Sequence, residues 1–297
     1  MTNIIMQFLY TVLKEVTLGV IITWCAIFSV FGQSATQQSI IENNAKPTVF
    51  TQEGVASTAN EWATAFMPDG RTVYFTDDNK ICVSKMVNAK WTRPTVVSFS
   101  GHWKDYDPAL SPDGKRLIFV SDRPLEGMPQ DKPQKNHHLW YSDRLSGDKW
   151  SSPKHFDVPI NIDGTNDYGP SISRSGTICF CSRNRNCNKV MGGYYAKWLG
   201  NHYDIPKPLS LNGVNDMFDP FIAPDESYII FASKGNLFIS YRSGSGWLQG
   251  QKLGVQVNNG NANGGPVVSP DGKTLYYSQD HAPGIMMIAI HIPQGLH

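Results

Sequence analysis

What this chain lacks narrows its function first. Its 26 lysines and arginines are matched by 25 aspartates and glutamates, leaving a formal charge of +1. Without a basic excess, the electrostatic term that drives nucleic-acid binding is missing, and no nucleic-acid partner is expected. No G-x-S-x-G elbow, H-E-x-x-H helix or G-x-x-x-x-G-K-[ST] loop occurs, which removes the common serine hydrolases, zinc peptidases and P-loop enzymes. Cysteine is scarce, five in 297 residues, and the run "CFCSRNRNC" holding Cys179, Cys181 and Cys187 has no C-x-x-C step. A zinc site is therefore not expected. A disulfide from Cys187 to Cys181 or Cys179 and a set of buried free thiols are both open readings.

One apolar run stands at the start. Residues 16–32, "VTLGVIITWCAIFSVFG", followed by "QSATQQ", read as the hydrophobic region and cleavage site of a signal peptide. A run of this length is also near the lower limit for spanning a bilayer, so an uncleaved anchor is the alternative. Residues 1–34 are accordingly assigned to a signal peptide or membrane anchor, 35–43 to a linker and 44–297 to a single domain. The chain is expected to be exported, periplasmic or secreted, and to meet a membrane only if the leader stays uncleaved. Cys25 lacks the small residues that a lipoprotein cysteine needs before it, so lipidation is not expected.

Beyond the leader, one pattern recurs five times: "NEWATAFMPDGRTVYFTD", "KDYDPALSPDGKRLIFVSD", "NDYGPSISRSGTICFCS", "NDMFDPFIAPDESYIIFAS" and "NANGGPVVSPDGKTLYYSQD". The third turn residues (Asp69, Asp113, Ser175, Asp225, Asp271) are spaced by 44, 62, 50 and 46 residues, the period of a four-stranded propeller blade. Each copy reads as a strand, a tight turn and a second strand rich in β-branched and aromatic residues. Proline presets φ, aspartate bonds nearby backbone and glycine supplies the left-handed residue, so these aspartates are hairpin corners. An alternating strand follows in every copy. In four it leads to an aromatic junction, Trp91, Trp150, Tyr203 or Trp247, expected to pack between blades.

The ends fix the blade count. The last copy stops after "IMMIAIH" without a fourth strand, while "AKPTVFTQ" near the N-terminus matches "TRPTVVSF" and lacks a blade of its own. If it completes the last blade, the ring closes without a free edge. The expected fold is all-β: a five-bladed β-propeller of four-stranded antiparallel blades, closed by an N-terminal strand. The motif "SPDGK" with "LIFVSDR", and "DPFIAPDESYIIFAS" with "GNLFISYR", resembles the TolB-type β-propeller repeat family over about residues 44–290. The resemblance implies the fold and leaves function open, because such repeats serve binding proteins, scaffolds and enzymes alike. The fourth copy has Glu226 in place of glycine, and the third has "SRSG" in place of the Pro-Asp pair.

The segments leading into the first strands are acidic and amide-rich, and they converge on one axis. They supply Glu61, Asp105, Asp107, Asp167, Asp216, Asp219 and Asn261 as ligand-binding candidates, with Arg123 and Arg183 added from the loops that share their face. Converging carboxylates need a cation, a basic ligand or a proton, so a sugar, a peptide amine or a structural calcium ion fits. No other cofactor or metal is implied. The competing reading is that each residue caps its own strand. His137 and His138 are adjacent, so on a strand they point to opposite faces and cannot chelate together. A glycoside hydrolase or polysaccharide lyase would need two distinct carboxylates, for which Asp107, Asp167 and Asp219 are candidates. All three occupy repeated positions, and catalysis usually breaks such symmetry. The expectation is a monomeric, non-catalytic binding or scaffold propeller that engages a protein, peptide or glycan at the channel mouth.

Overall fold

In a computed structural model, residues 39–42, 44–50, 61–185, 189–211, 214 and 216–293 are described. The leader and Cys187 lie outside the described residues, and among the described residues no helix is long and apolar enough to cross a membrane. The described part is a five-bladed propeller. Blade 1 runs Glu61–Phe66, Thr72–Asp77, Lys80–Val87 and Thr95–Val96; blade 2 runs Asp105–Leu110, Arg116–Ser121, His138–Asp143 and Lys154–His155. Blade 3 runs Asn166–Ile172, Ile178–Arg183, Gly192–Ala196 and Lys207–Pro208; blade 4 runs Phe218–Ile222, Tyr228–Ser233, Asn236–Ser243 and Gln251–Lys252. Blade 5 is Asn263–Val268, Thr274–Gln279 and Met286–Ala289, completed by Thr48–Val49. Every pairing is antiparallel, and Thr48 and Val49 sit opposite Met287 and Met286. Each first strand touches the first strand of the next blade, and the fifth touches the first, so the ring closes. Ile40 and Ile41, assigned by sequence to the linker, are buried against blade 5, where Ile41 bridges Ile290. The packed unit therefore begins earlier than residue 44.

The turns follow their chemistry. In blade 2 the Gly114 N–H donates to Ser111 O at 2.7 Å, and Asp113 Oδ1 accepts from Ser111 Oγ and the Lys115 N–H at 2.6 and 3.0 Å. Asp69, Asp225 and Asp271 accept local bonds in the same way. The two turns that break the motif are tied to each other. Glu226, at φ 63°, accepts from Ser173 Oγ and Ser175 Oγ of the blade 3 turn and from Arg242 Nη2 at 2.8 Å. A carboxylate lent by blade 4 thus does for the "SRSG" turn what its own aspartate does elsewhere.

The core is split into five apolar clusters, one at each junction between neighbouring blades. This follows from the alternation of each strand, which turns apolar side chains to both faces of a sheet that has a neighbour on each side. The junction aromatics lie in these seams. Trp150 of blade 2 is buried and donates its indole N–H to Tyr74 OH of blade 1 at 3.2 Å, while Trp91 packs edge-on against Phe50.

Candidate functional site: an axial cavity and two belts of polar residues

Every first strand carries one extra residue at the same place, a β-bulge. The register shifts fall at Ala63, and at Asp107, Gly169, Asp219 and Gly265 or the proline that follows each. All five have positive φ, between 48° and 54°. Four are followed by proline, whose missing N–H takes nothing from the ladder at the bulge. The bulges turn these residues toward the axis, where they form a closed belt. Trp62 Nε1 of blade 1 donates to Asp107 Oδ1 at 3.1 Å, and Asp107 Oδ2 accepts the Gly169 N–H at 3.1 Å. A Cβ on Gly169 would lie 2.5 Å from Asp219 Oδ1, and Asp219 Oδ2 accepts the Gly265 N–H at 2.9 Å. Gly265 in turn abuts the backbone of Ala63, which completes the circuit.

Asp107 and Asp219 therefore flank Gly169 on the axis, and among the described residues neither is ion-paired. Burial and the nearby Asp219 carboxylate push Asp107 up to about 7, against the opposing pull of the Gly169 N–H and the Trp62 indole. Burial pushes Asp219 up as well. The pair can hold a proton near neutral pH in the manner of two carboxyls sharing one site.

Two residues earlier on each strand lies a second belt: Glu61, Asp105, Asp167, Met217 and Asn263, all buried. Here the charges of Asp105 and Asp167 are neutralised internally. Asp105 is paired with Arg123 at 2.5 Å and accepts from Ser121 Oγ at 2.7 Å. Asp167 is paired with Arg185 at 3.2 Å and accepts from Thr165 Oγ1 at 3.0 Å. Each guanidinium also lies against two rings, Phe119 and Trp140 in blade 2, Phe180 and Tyr194 in blade 3. Burial pushes both carboxyls up, and the guanidinium and hydroxyl partners pull against it. Asp105 and Arg123, offered by sequence as ligand contacts, are thus spent on each other, and Asp167 is spent on Arg185 rather than on Arg183, which is exposed.

A cavity of about 270 Å³ lies on the axis. Its deep end is the bulge belt, with Ala63, Asp107, Gly169, Asp219 and Gly265 in its lining, and it runs along the first strands to the turns at Pro68, Pro112, Arg174, Pro224 and Pro270. Pro68, Arg174 and Pro270 are exposed, so it opens at the turn end. Its walls are prolines and apolar side chains such as Val267, Phe221 and Ile172. Neither Glu61, Asp105, Asp167, Asp216 nor Asn261 lines it. The structure thus brings together two of the sequence candidates, Asp107 and Asp219, and their cavity faces the hairpin corners rather than the segments leading into the strands. Asp216 is half-buried ahead of its strand, and Asn261 is exposed.

Among the described residues no group of three or more His, Cys, Asp or Glu side chains is placed to hold a metal ion. Cys179 and Cys181 are free and fully buried. His137 and His138 diverge as expected: His137 Nδ1 meets Tyr106 OH at 2.9 Å, and His138 Nδ1 meets His155 Nε2 at 3.0 Å. Sequence reasoning missed Asn161 and Asn258. Each clamps the third strand of its blade by accepting from a backbone N–H (Leu139, Leu237) and donating back to the same residue's carbonyl. Their signal was present, an asparagine five residues after Phe156 and Leu253 in matching copies. Thr64 was missed as well; it is 2% exposed, lines the cavity and carries a hydroxyl oxygen with no hydrogen-bond partner.

No protein-family model matches the chain, and no curated protein matches it. Solved structures do. A protein assigned as TolB from Agrobacterium tumefaciens is similar at 15% identity with a TM-score of 0.50, over 74% of this chain and 69% of that one. A protein of unknown function from Dyadobacter fermentans is similar at 12% identity and a TM-score of 0.50, over 85% of this chain and 100% of the other. TolB from Acinetobacter baumannii is similar at 17% identity and a TM-score of 0.47, and this chain spans about half its length. The likeness is one of fold. It links the chain to TolB-like and other β-propellers and favours no activity among them.

Proposed function

We propose that the chain is an exported, non-catalytic binding propeller of the TolB type that takes a peptide segment of a partner protein into its axial cavity. The observation that carries this reading is the cavity itself: open at the turn end, walled by prolines and aliphatic side chains, and floored by two carboxylates that no cation of the described chain neutralises. Apolar walls with a few convergent polar groups are the usual make-up of a ligand pocket. A glycan would need hydroxyl and amide partners along those walls, so a peptide is the better fit. The leader at residues 1–34 supports export, and a monomer is sufficient because the ring closes within one chain.

The coupled pair Asp107 and Asp219 favours a second reading, a glycoside hydrolase or polysaccharide lyase, since such enzymes set two carboxyls apart in pKa. Against it, both groups flank Gly169 at the floor of a cavity of about 270 Å³, which is small for a sugar ring together with its leaving group. The test is a displayed peptide library selected against the purified full chain, with a glycan array and chromogenic glycosides in parallel. Selected peptides should lose at least tenfold in affinity when the cavity is filled by Val267→Trp or Ala109→Leu, each checked for an intact melt. Glycan binding alone, or glycoside turnover abolished by Asp107→Asn, would replace the peptide reading with the second one.

A further inference from the structure

We propose that the axial cavity holds its peptide by the main chain, through hydrogen bonds to the bare inner edges of blades 2 and 3. The inference rests on the binding reading above and names how the peptide is held. In each blade the first strand ends the sheet, so its far edge has no strand beyond it and faces the axis. Register fixes which groups that edge presents. In blade 2 the Ser111 N–H donates to Arg116 O at 2.9 Å, so the neighbouring pair, Leu110 opposite Leu117, is of the non-hydrogen-bonded kind. The Leu110 N–H and C=O therefore point to the axis. The same holds for Phe66, Ile172, Ile222 and Val268, each three residues after its bulge, and all five line the cavity. Alternation turns the carbonyl two residues earlier the same way, and four of those five earlier residues are proline, which offers no N–H. A ligand meeting the edge thus finds one acceptor followed by one donor.

One of the five edges already has its partner, and that partner shows what the edge takes. Ser171 of blade 3 donates its hydroxyl to Pro220 O of blade 4 and accepts the Ile222 N–H at 3.1 Å. One residue of an added parallel strand makes the same two bonds, its N–H to a carbonyl and its C=O to the N–H two residues on. Ser171 lies two residues after its bulge and reaches forward to the next blade, as Asp107 does to Gly169 and Asp219 to Gly265. At that place the other first strands carry Ala65, Ala109, Phe221 and Val267, all of which line the cavity. None of the four has a hydrogen-bonding side chain. Phe221 and Val267 put bulk before the edges of blades 5 and 1. Ala65 and Ala109 put only a methyl group before the edges of blades 2 and 3, which leaves Pro108 O with the Leu110 N–H, and Pro170 O with the Ile172 N–H, to a ligand. Ile172 is 9% exposed, and a main-chain group so placed gains from a partner that reaches it through the cavity. A peptide supplies the matching donor and acceptor from its own main chain, whatever its side chains. A carboxylate or phosphate has no donor for the carbonyl, and an ammonium has no acceptor for the N–H.

The test uses the purified full chain and a peptide selected on it. Each amide of the peptide is replaced in turn by an ester, which deletes one N–H and adds no bulk. At least one ester should weaken binding about five- to tenfold, while esters at the residues on either side, turned the other way, leave it within about twofold. Ala65→Ser and Ala109→Ser give the chain its own hydroxyl at the two edges, as Ser171 does at the fourth blade. The double variant should bind at least tenfold more weakly with its melt intact. Ala65→Cys/Ala109→Cys adds larger groups that hydrogen-bond only weakly, so it should lose several times less, which separates capping from crowding. A flat ester scan, or a serine double variant that binds like the wild type while Val267→Trp still blocks the peptide, overturns main-chain pairing and leaves the peptide reading standing. Failure to select any peptide sinks both. Glycans bound by the wild type and lost in the serine double variant would give the same two edges to a sugar hydroxyl, and would likewise overturn the peptide main chain.

Discussion

Asp105 and Asp107 stand two residues apart on one strand and meet opposite fates. Asp105 is fully buried and held by Arg123 and Ser121; Asp107, turned to the axis by its bulge, is half-buried and meets another carboxylate. The same split runs around the ring: the outer belt, two residues ahead of the bulges, is buried, with Asp105 and Asp167 held by side chains of their own blades, and the inner belt, at the bulges, lines the cavity. The difference shows that an acidic residue in this repeat is assigned by its partner rather than by its type. Where the second strand is followed by an arginine that can fold back, the acid becomes a staple. Where the backbone bulges and no arginine reaches, the acid has no ion-pair partner among the described residues and lines the cavity.

The largest test of this division is to remove a staple. Arg185→Met leaves Asp167 buried without its cation, and breaking a buried pair in this way costs about 3–5 kcal/mol. Urea denaturation should show that loss, and the double variant Asp167→Leu/Arg185→Met should recover most of it. If Arg185→Met unfolds at the wild-type urea concentration, the outer belt is not structural and the comparison fails. The next effect belongs to the inner belt. Gly169 has φ 52°, and a Cβ there would lie 2.7 Å from the backbone Cα of Asp219, which cannot step aside as a side chain could. Gly169→Ala should destabilise by about 2–4 kcal/mol, combining left-handed strain with overpacking. Gly164→Ala, whose Cβ would meet nothing within 4 Å but which shares the positive φ, isolates the strain alone and should cost less.

The fold was legible in the sequence because a repeat reports its own structure several times over. The turn motif, the alternating second strand and the unpartnered "AKPTVFTQ" gave five closed blades without any pairing being visible. The site was legible only in part. Asp107 and Asp219 stand out as x-Asp-Pro within the repeat, but nothing local separates them from Asp105 or Asp167. The separation comes from Arg123 and Arg185, each 18 residues further on, and from the fold that returns them. The inward turn of Asp107 and Asp219 was not legible for a related reason: the bulge adds a residue to each first strand, and periodicity of two does not register a residue that pairs with nothing. The link between Glu226 and the "SRSG" turn was hidden likewise, since two departures 51 residues apart become one feature only when blades 3 and 4 are adjacent.

The smallest expected effect distinguishes the belts by pH. In the folded chain Asp107 is pushed up to about 7, whereas an unfolded aspartate titrates near 4. The folded state therefore holds a proton that the unfolded state has lost between those values. The group's contribution to stability is complete below about pH 4 and is lost as pH rises toward 7. Each unit of displacement corresponds to about 1.4 kcal/mol, and the side chain's partial exposure to the channel reduces the total, so about 1–2 kcal/mol should vanish across this window. Asp107→Asn keeps one accepting oxygen where the wild type has two, so it gives up either the Gly169 or the Trp62 bond at every pH, and it has no charge to lose. Its stability relative to the wild type should therefore rise by that amount between pH 4 and pH 8. His155, lowered to about 4 by burial, and His138, lowered for the same reason, work in the opposite sense: their contribution is complete above about pH 6.5 and is lost as pH falls toward 4. They are unchanged in the variant, so the difference between the two stability profiles isolates Asp107. A difference that is flat with pH would mean that Asp107 is ionised throughout and that its burial beside Asp219 does not raise it.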